Sequence, residues 1–174
     1  KEIVDLCRKI YRENKNAIDM INKYTNIEDE IIENIQEIYA DELISLNKNG
    51  MFAIKAFKDV PNLQLGNSIH GDDLILLQLE KNSKGCYSFC LNVVPAKNSM
   101  ETARKDVINK LEKELGEKLI DSEKENTWCY YNVPIMTESE YYNIDNPEQI
   151  KECIKSKINK TRFIPLLKEL ATKI

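Results

Sequence analysis

The stretch between Asp72 and Pro95 constrains the fold more than any other part of the chain. Ile75, Leu77 and Leu79 fall on one side of an extended backbone, and Leu74, Leu76, Gln78 and Glu80 on the other. After a short break the pattern resumes. Tyr87, Phe89, Leu91 and Val93 share a side, opposite Cys86, Ser88, Cys90, Asn92 and Val94. Period-two alternation marks a strand with at least one buried face. Between the runs, Asn82-Ser83-Lys84-Gly85 supplies turn residues, and Gly85 takes positive φ at no steric cost. The spacing predicts a β-hairpin whose second strand is central in a sheet.

Other strands are expected over Met51–Lys58 and Trp128–Ile135, the latter ending near Pro134. Helical periodicity covers the rest. Ile3, Cys7, Ile10, Tyr11, Ala17, Ile18 and Ile21 recur at three- and four-residue steps over 1–24. A second helix is expected over 27–46, with Ile31, Ile35, Ile38 and Tyr39 on its apolar side. Thr25 with Glu28 has capping-box spacing, and Asn26 is a second capping residue. A third helix begins at Asn98 or Ser99 and stops at Gly116. Thr137 and Glu140 signal a short helical turn, Asn146-Pro147 starts a longer helix, and Pro165 makes 163–173 a separate one. The fold class is α+β: a mainly antiparallel sheet of about four strands, packed by helices. A helical hairpin over 1–46 leads into an α+β unit over 47–174.

The chain is 174 residues long and 42% apolar, enough to build a core without disulfides. Its five cysteines are odd in number and scattered, which fits reduced thiols in a cytoplasm. Cys86 and Cys90 are about 13 Å apart on a strand, too far for a disulfide or a shared zinc ion. No apolar run is long enough to span a membrane. The first residues, KEIVDLCRKI, read as the middle of a helix with no initiating Met, as expected of a segment cut from a longer protein.

A net charge of −4 excludes an all-over nucleic-acid-binding surface. Charge is nonetheless uneven. Residues 147–174 carry seven basic and three acidic side chains, a net of +4, whereas residues 1–50 carry seven and eleven, a net of −4. Lys151, Lys155, Lys160 and Arg162 in the last helices, with Arg104 and Lys105 in the third, are the candidate phosphate-contacting set. Lysine predominates over arginine, so contact with DNA is expected at the backbone rather than at base edges. A solvated helix face explains the same residues.

No phosphate-binding loop, nucleophile elbow or zinc-protease motif is present. The single histidine, His70, lies near Asp72 and Asp73, and these three are the residual metal-ligand candidates. Metal-dependent nucleases need a carboxylate followed by Asp/Glu-x-Lys at a strand. Glu13-Asn14-Lys15 has the spacing but sits on a helix, and Glu80-Lys81 lacks the spacer. No catalytic centre is assigned to this chain.

The segment DLCRKIYRENKNAIDMINKY, through Leu6, Ile10, Tyr11, Lys15, Ala17, Ile18, Asp19 and Ile21, resembles a helical segment C-terminal to the catalytic core in bacterial PD-(D/E)XK nuclease-superfamily proteins. The order of elements out to residue 115 is similar as well. The resemblance implies an accessory domain for DNA engagement, partner binding or control. It also implies magnesium in a separate catalytic half, and it transfers no catalytic residue to this chain. The alternative is a stand-alone regulatory module that binds a protein partner.

Overall fold

The computed structural model describes residues 2–24, 26–97 and 100–174. Five strands form one sheet: β1 (Leu43–Ser45), β2 (Met51–Ile54), β3 (Ile75–Lys81), β4 (Cys86–Val93) and β5 (Cys129–Thr137). Their spatial order follows their chain order, and every neighbouring pair is antiparallel. The helices are α1 (Glu2–Tyr24), α2 (Ile27–Ile38), α3 (Glu101–Leu115), α4 (Glu138–Tyr142), α5 (Pro147–Thr161) and α6 (Phe163–Lys173). The α+β class is as the sequence implies.

The hairpin forms as its alternation requires. Leu77 lies opposite Leu91 and Leu79 opposite Phe89. In the turn, the Asn82 side-chain oxygen accepts from the amides of Lys84 (2.9 Å) and Cys86 (3.1 Å). Gly85 adopts φ 72°, the left-handed conformation expected of it. β4 pairs on both edges, which makes it a central strand and accounts for the burial of Tyr87, Phe89, Cys90, Leu91 and Val93.

β1 is the strand that periodicity did not reveal. A helix through 46 was expected, but α2 stops at Ile38 and Tyr39 leaves helical geometry at φ −117°, ψ 31°. The chain then turns to pair Leu43 with Ile54. β2 ends earlier than the expected strand, because a 3-10 turn at Lys55–Phe57 drops Phe57 into the core. β5 in contrast runs beyond Pro134. A register shift between Tyr87 and Ser88 leaves Ile135 as the extra residue, and proline is tolerated on this edge strand.

Phe163 of α6 packs on the sheet face formed by Phe89 and Tyr131, with ring centroids 6.4 and 5.8 Å away. Phe52 meets Phe89 edge-on at 6.3 Å on the same face. α2 packs against α5, and α5 against α6; the Tyr39 hydroxyl, just beyond α2, donates to the Asn159 side-chain oxygen of α5 at 2.8 Å. Ile27, Ile31, Ile32 and Ile35 of α2 are all buried, so α2 contributes to the core. Gly50 sits where α2 crosses the β2–β3 pair. Its φ is 69°, and a Cβ there would lie 2.9 Å from that of Leu79.

The caps at α4 and α5 match their sequence signals. Thr137 and Glu140 make a reciprocal capping box, and Asn146 accepts from the Glu148 amide at 2.9 Å. Gly116 ends α3 at φ 74°. α5 and α6 are separate helices, broken at Arg162 (φ 58°), and Pro165 fits within the first turn of α6. The caps expected at Thr25 and at Asn98 or Ser99 lie outside the described residues. Asn26 bonds the Asp29 carboxylate at 2.7 Å and makes no side-chain cap bond.

Candidate functional site

The residues singled out for chemistry separate into three places. In the loop before β3, Asp72 forms an ion pair with Lys97 at 2.7 Å, while Asp73 accepts from the Gln64 amide at 2.6 Å. The backbone amide of His70 is held by the Ser68 hydroxyl at 3.1 Å. The two carboxylates are thus committed to different partners. Among the described residues, no three His, Cys, Asp or Glu side chains lie close enough to share an ion. Asp72, Asp73 and His70 are thus not brought together as one ligand set among the described residues.

The six candidate phosphate contacts also divide. Arg104 is fully buried, which removes it from the set. Its Nε donates to the Val94 carbonyl at 2.9 Å, one terminal nitrogen to Glu101 at 3.0 Å, and the other to the Thr127 carbonyl and the Cys129 sulfur. The guanidinium therefore fastens α3 to the end of β4 and the start of β5. The helical spacing of α3 could not reveal this, because the residue occupies a position where an apolar side chain was the default. Lys105 reaches Glu125 at 3.5 Å, and Lys151 reaches Glu37 at 2.6 Å. Lys155, Lys160 and Arg162 are exposed and make no ion pair among the described residues. Lys160 and Arg162 border a hollow of about 280 Å³ whose rim also carries Glu114 and Glu169. These two carboxylates share Lys173 at 3.1 and 3.5 Å, so the hollow is of mixed sign.

The buried thiols do not form a nucleophilic centre. Burial, with Glu80 nearby, pushes the Cys90 thiol far up. Burial likewise raises Cys129, to about 11, against the lowering effect of Arg104. Both remain protonated near neutral pH, and a thiol in that state is a poor nucleophile. Glu112 is held below the ordinary carboxyl range. Its burial acts upward, but bonds from Lys118, Ser122 and the Leu119 amide outweigh it. That set closes the turn after α3 and exposes no free acid.

The third place is α1. Ile3, Val4, Leu6, Ile10 and Tyr11 are between 43% and 76% exposed, and Cys7 is exposed as well. No other element packs extensively on α1 among the described residues. Its charges pair along the helix, Arg8 with Asp5 at 3.5 Å and Lys9 with Glu13 at 3.9 Å. The helix is therefore amphipathic without its apolar side being covered. At Asn14 the backbone leaves helical geometry (φ −120°, ψ 19°), and the side-chain amide donates to the Ile10 carbonyl at 3.0 Å. Sequence periodicity gave the stripe, but not that it would lie open. A contiguous apolar patch of this kind is uncommon on a monomer and marks interaction surfaces.

No protein-family model, curated protein or solved structure matches the chain. Among the described residues no helix is long and apolar enough to cross a membrane.

Proposed function

We propose that this chain is a protein-interaction module that engages its partner through the apolar stripe of α1. The observation that carries the reading is the exposure of Ile3, Leu6 and Ile10 on a helix of 23 residues. An isolated helix is marginal in water unless an apolar face is buried, so covering this stripe supplies its stability. In the setting of a nuclease-like protein the module is an accessory, partner-binding part, with any magnesium chemistry elsewhere. The free thiols Cys7, Cys86 and Cys153, none of them fully buried, favour a reducing cytoplasm.

A photo-crosslinking side chain at Leu6, introduced into the chain in the cells that make it, tests the reading. An adduct with a polypeptide is expected, lost when Ile3 and Ile10 are both changed to Lys. Absence of any protein adduct from a stably folded chain would sink it. A second reading, phosphate contact with DNA, is favoured by Lys155, Lys160 and Arg162, which have no ion-pair partner among the described residues. The same probe at Lys160 tests that reading. A nuclease-sensitive adduct supports it, and its absence removes it.

A further inference from the structure

The occupant of the α1 stripe follows from its spacing. Ile3, Cys7, Ile10, Asn14, Ala17, Ile21 and Tyr24 are separated by four, three, four, three, four and three residues. In sequence that is a continuous heptad spacing over the 23 residues of α1, a helix that bends at Asn14. Cys7, Asn14 and Ile21 occupy one seam position, and Ile3, Ile10, Ala17 and Tyr24 the other. Asp5, Arg8, Lys9 and Arg12 fall outside it, so closing the seam buries none of these charges. The seam residues whose side chains are described, Ile3, Cys7, Ile10, Asn14 and Ala17, are all exposed.

Asn14 settles what lies opposite. A primary amide in an apolar seam costs free energy unless another polar group meets it. In an antiparallel pairing Asn14 would face an apolar residue such as Ile10 or Ala17 of the other helix. In a parallel, in-register pairing it faces Asn14 of a second copy, and each amide satisfies the other. A lone Asn at this heptad position specifies two strands in parallel register. In the single chain its side chain instead turns back on the Ile10 carbonyl, and the helix bends there. Such back-bonding is what a mid-helix Asn does when no outside partner is present.

From this spacing and this amide we infer that two copies of the chain pair through α1 as a parallel, in-register coiled coil, with Asn14 facing Asn14 and Cys7 facing Cys7. The inference rests on the reading of α1 as an interaction helix and adds the identity of its partner.

The test uses the purified full chain. Sedimentation equilibrium should give twice the 20.2 kDa chain mass. Ile10→Lys should halve that mass while leaving the thermal unfolding of the sheet domain unchanged, since Ile10 is exposed in the single chain. Diamide should join the pair through Cys7. Two thiols lose two protons and two electrons, the S–S bond forms, and diamide is reduced to the hydrazine. Cys7→Ser should abolish the covalent dimer but keep the dimer mass in sedimentation. A monomer at every concentration overturns the inference, as does a three-stranded mass. A dimer whose cross-link forms through Cys86 or Cys153 overturns the parallel register, because antiparallel pairing sets the two Cys7 residues roughly 15–25 Å apart. A monomer in solution together with a Leu6 adduct to a different protein removes this inference and leaves the proposed function standing. A monomer with no Leu6 adduct removes both.

Discussion

Replacing Arg104 with Ala should cost the fold about 3–5 kcal/mol, the range for removing one partner from a buried charged cluster. The contributions can be followed group by group. The Val94 and Thr127 carbonyls each lose a donor inside the structure, at roughly 1 kcal/mol apiece. Glu101 loses its cation, and a hydrogen bond to a charged group is worth about 1.5–3 kcal/mol. Its side chain keeps 27% exposure, so water recovers part of that loss and the lower end applies. The vacated space supplies the remainder. A domain of this size shifts by roughly 2–4 °C per kcal/mol, so melting should fall by about 6–20 °C. Urea unfolding followed by the emission of Trp128 and by circular dichroism measures the change, and Trp128 reports beside the lost contact at Thr127. Arg104→Lys should recover less than half, because one ammonium cannot serve acceptors on three segments. A cycle with Glu101→Gln should show a coupling of about 1–2 kcal/mol, since the two side chains touch. A loss below about 1 kcal/mol for Arg104→Ala, or additivity in the cycle, would refute the clamp.

Two further outcomes are expected. Glu140 is held below its ordinary 4.5 by the hydrogen bond from Lys157, and then by those from Thr137. A carboxyl depressed in the folded state stabilises above its unfolded pKa, and that stability is lost as pH falls through the folded value. The stability gap between the parent chain and Glu140→Gln should therefore be full at pH 6 and close progressively below about pH 4.5. Its side chain is 47% exposed, so the gap should stay under ~1 kcal/mol. A gap that widens on acidification contradicts this. Among the thiols, an alkylating reagent at neutral pH should modify Cys7 at once in the Ile10→Lys chain, whose α1 stays unpaired, and Cys90 and Cys129 only on unfolding. Equal rates for all three in the folded chain would disprove the assigned burial.

What the sequence disclosed depended on how local the cause was. The β3–β4 hairpin was legible because alternation, a four-residue turn and Gly85 all act within a short stretch. The same holds for the α4 and α5 caps and for the break before α6, though the break falls at Arg162 and Pro165 only prevents a merged helix. β1 was illegible because Leu43 continues the helical spacing of α2. Only its pairing to Ile54 decides otherwise, and that partner is set by tertiary structure. Arg104 shows the same limit from the side of charge. Its position in α3 was plain, but its burial depends on two carbonyls supplied by distant segments. The three metal candidates are near neighbours in sequence, yet the Asp72 and Asp73 side chains serve Lys97 and Gln64 instead. The α1 stripe was read from its period, whereas its exposure is a fact about the rest of the chain.

The insertion of α3 between β4 and β5 sets a timetable for synthesis. β4 can pair with β3 as soon as both have emerged, but its other edge waits for β5, beyond residues 94–128. At ~5–20 residues per second a ribosome needs about 2–7 s to supply that segment. Throughout this interval the backbone of CYSFCLNV, rich in β-formers and lacking charge and proline, presents an open edge. Two nascent chains on one message would be close neighbours at that moment. The β4 edge is therefore where misassembly during translation should begin, and a chaperone that shields it would act between the emergence of Val93 and that of Thr137.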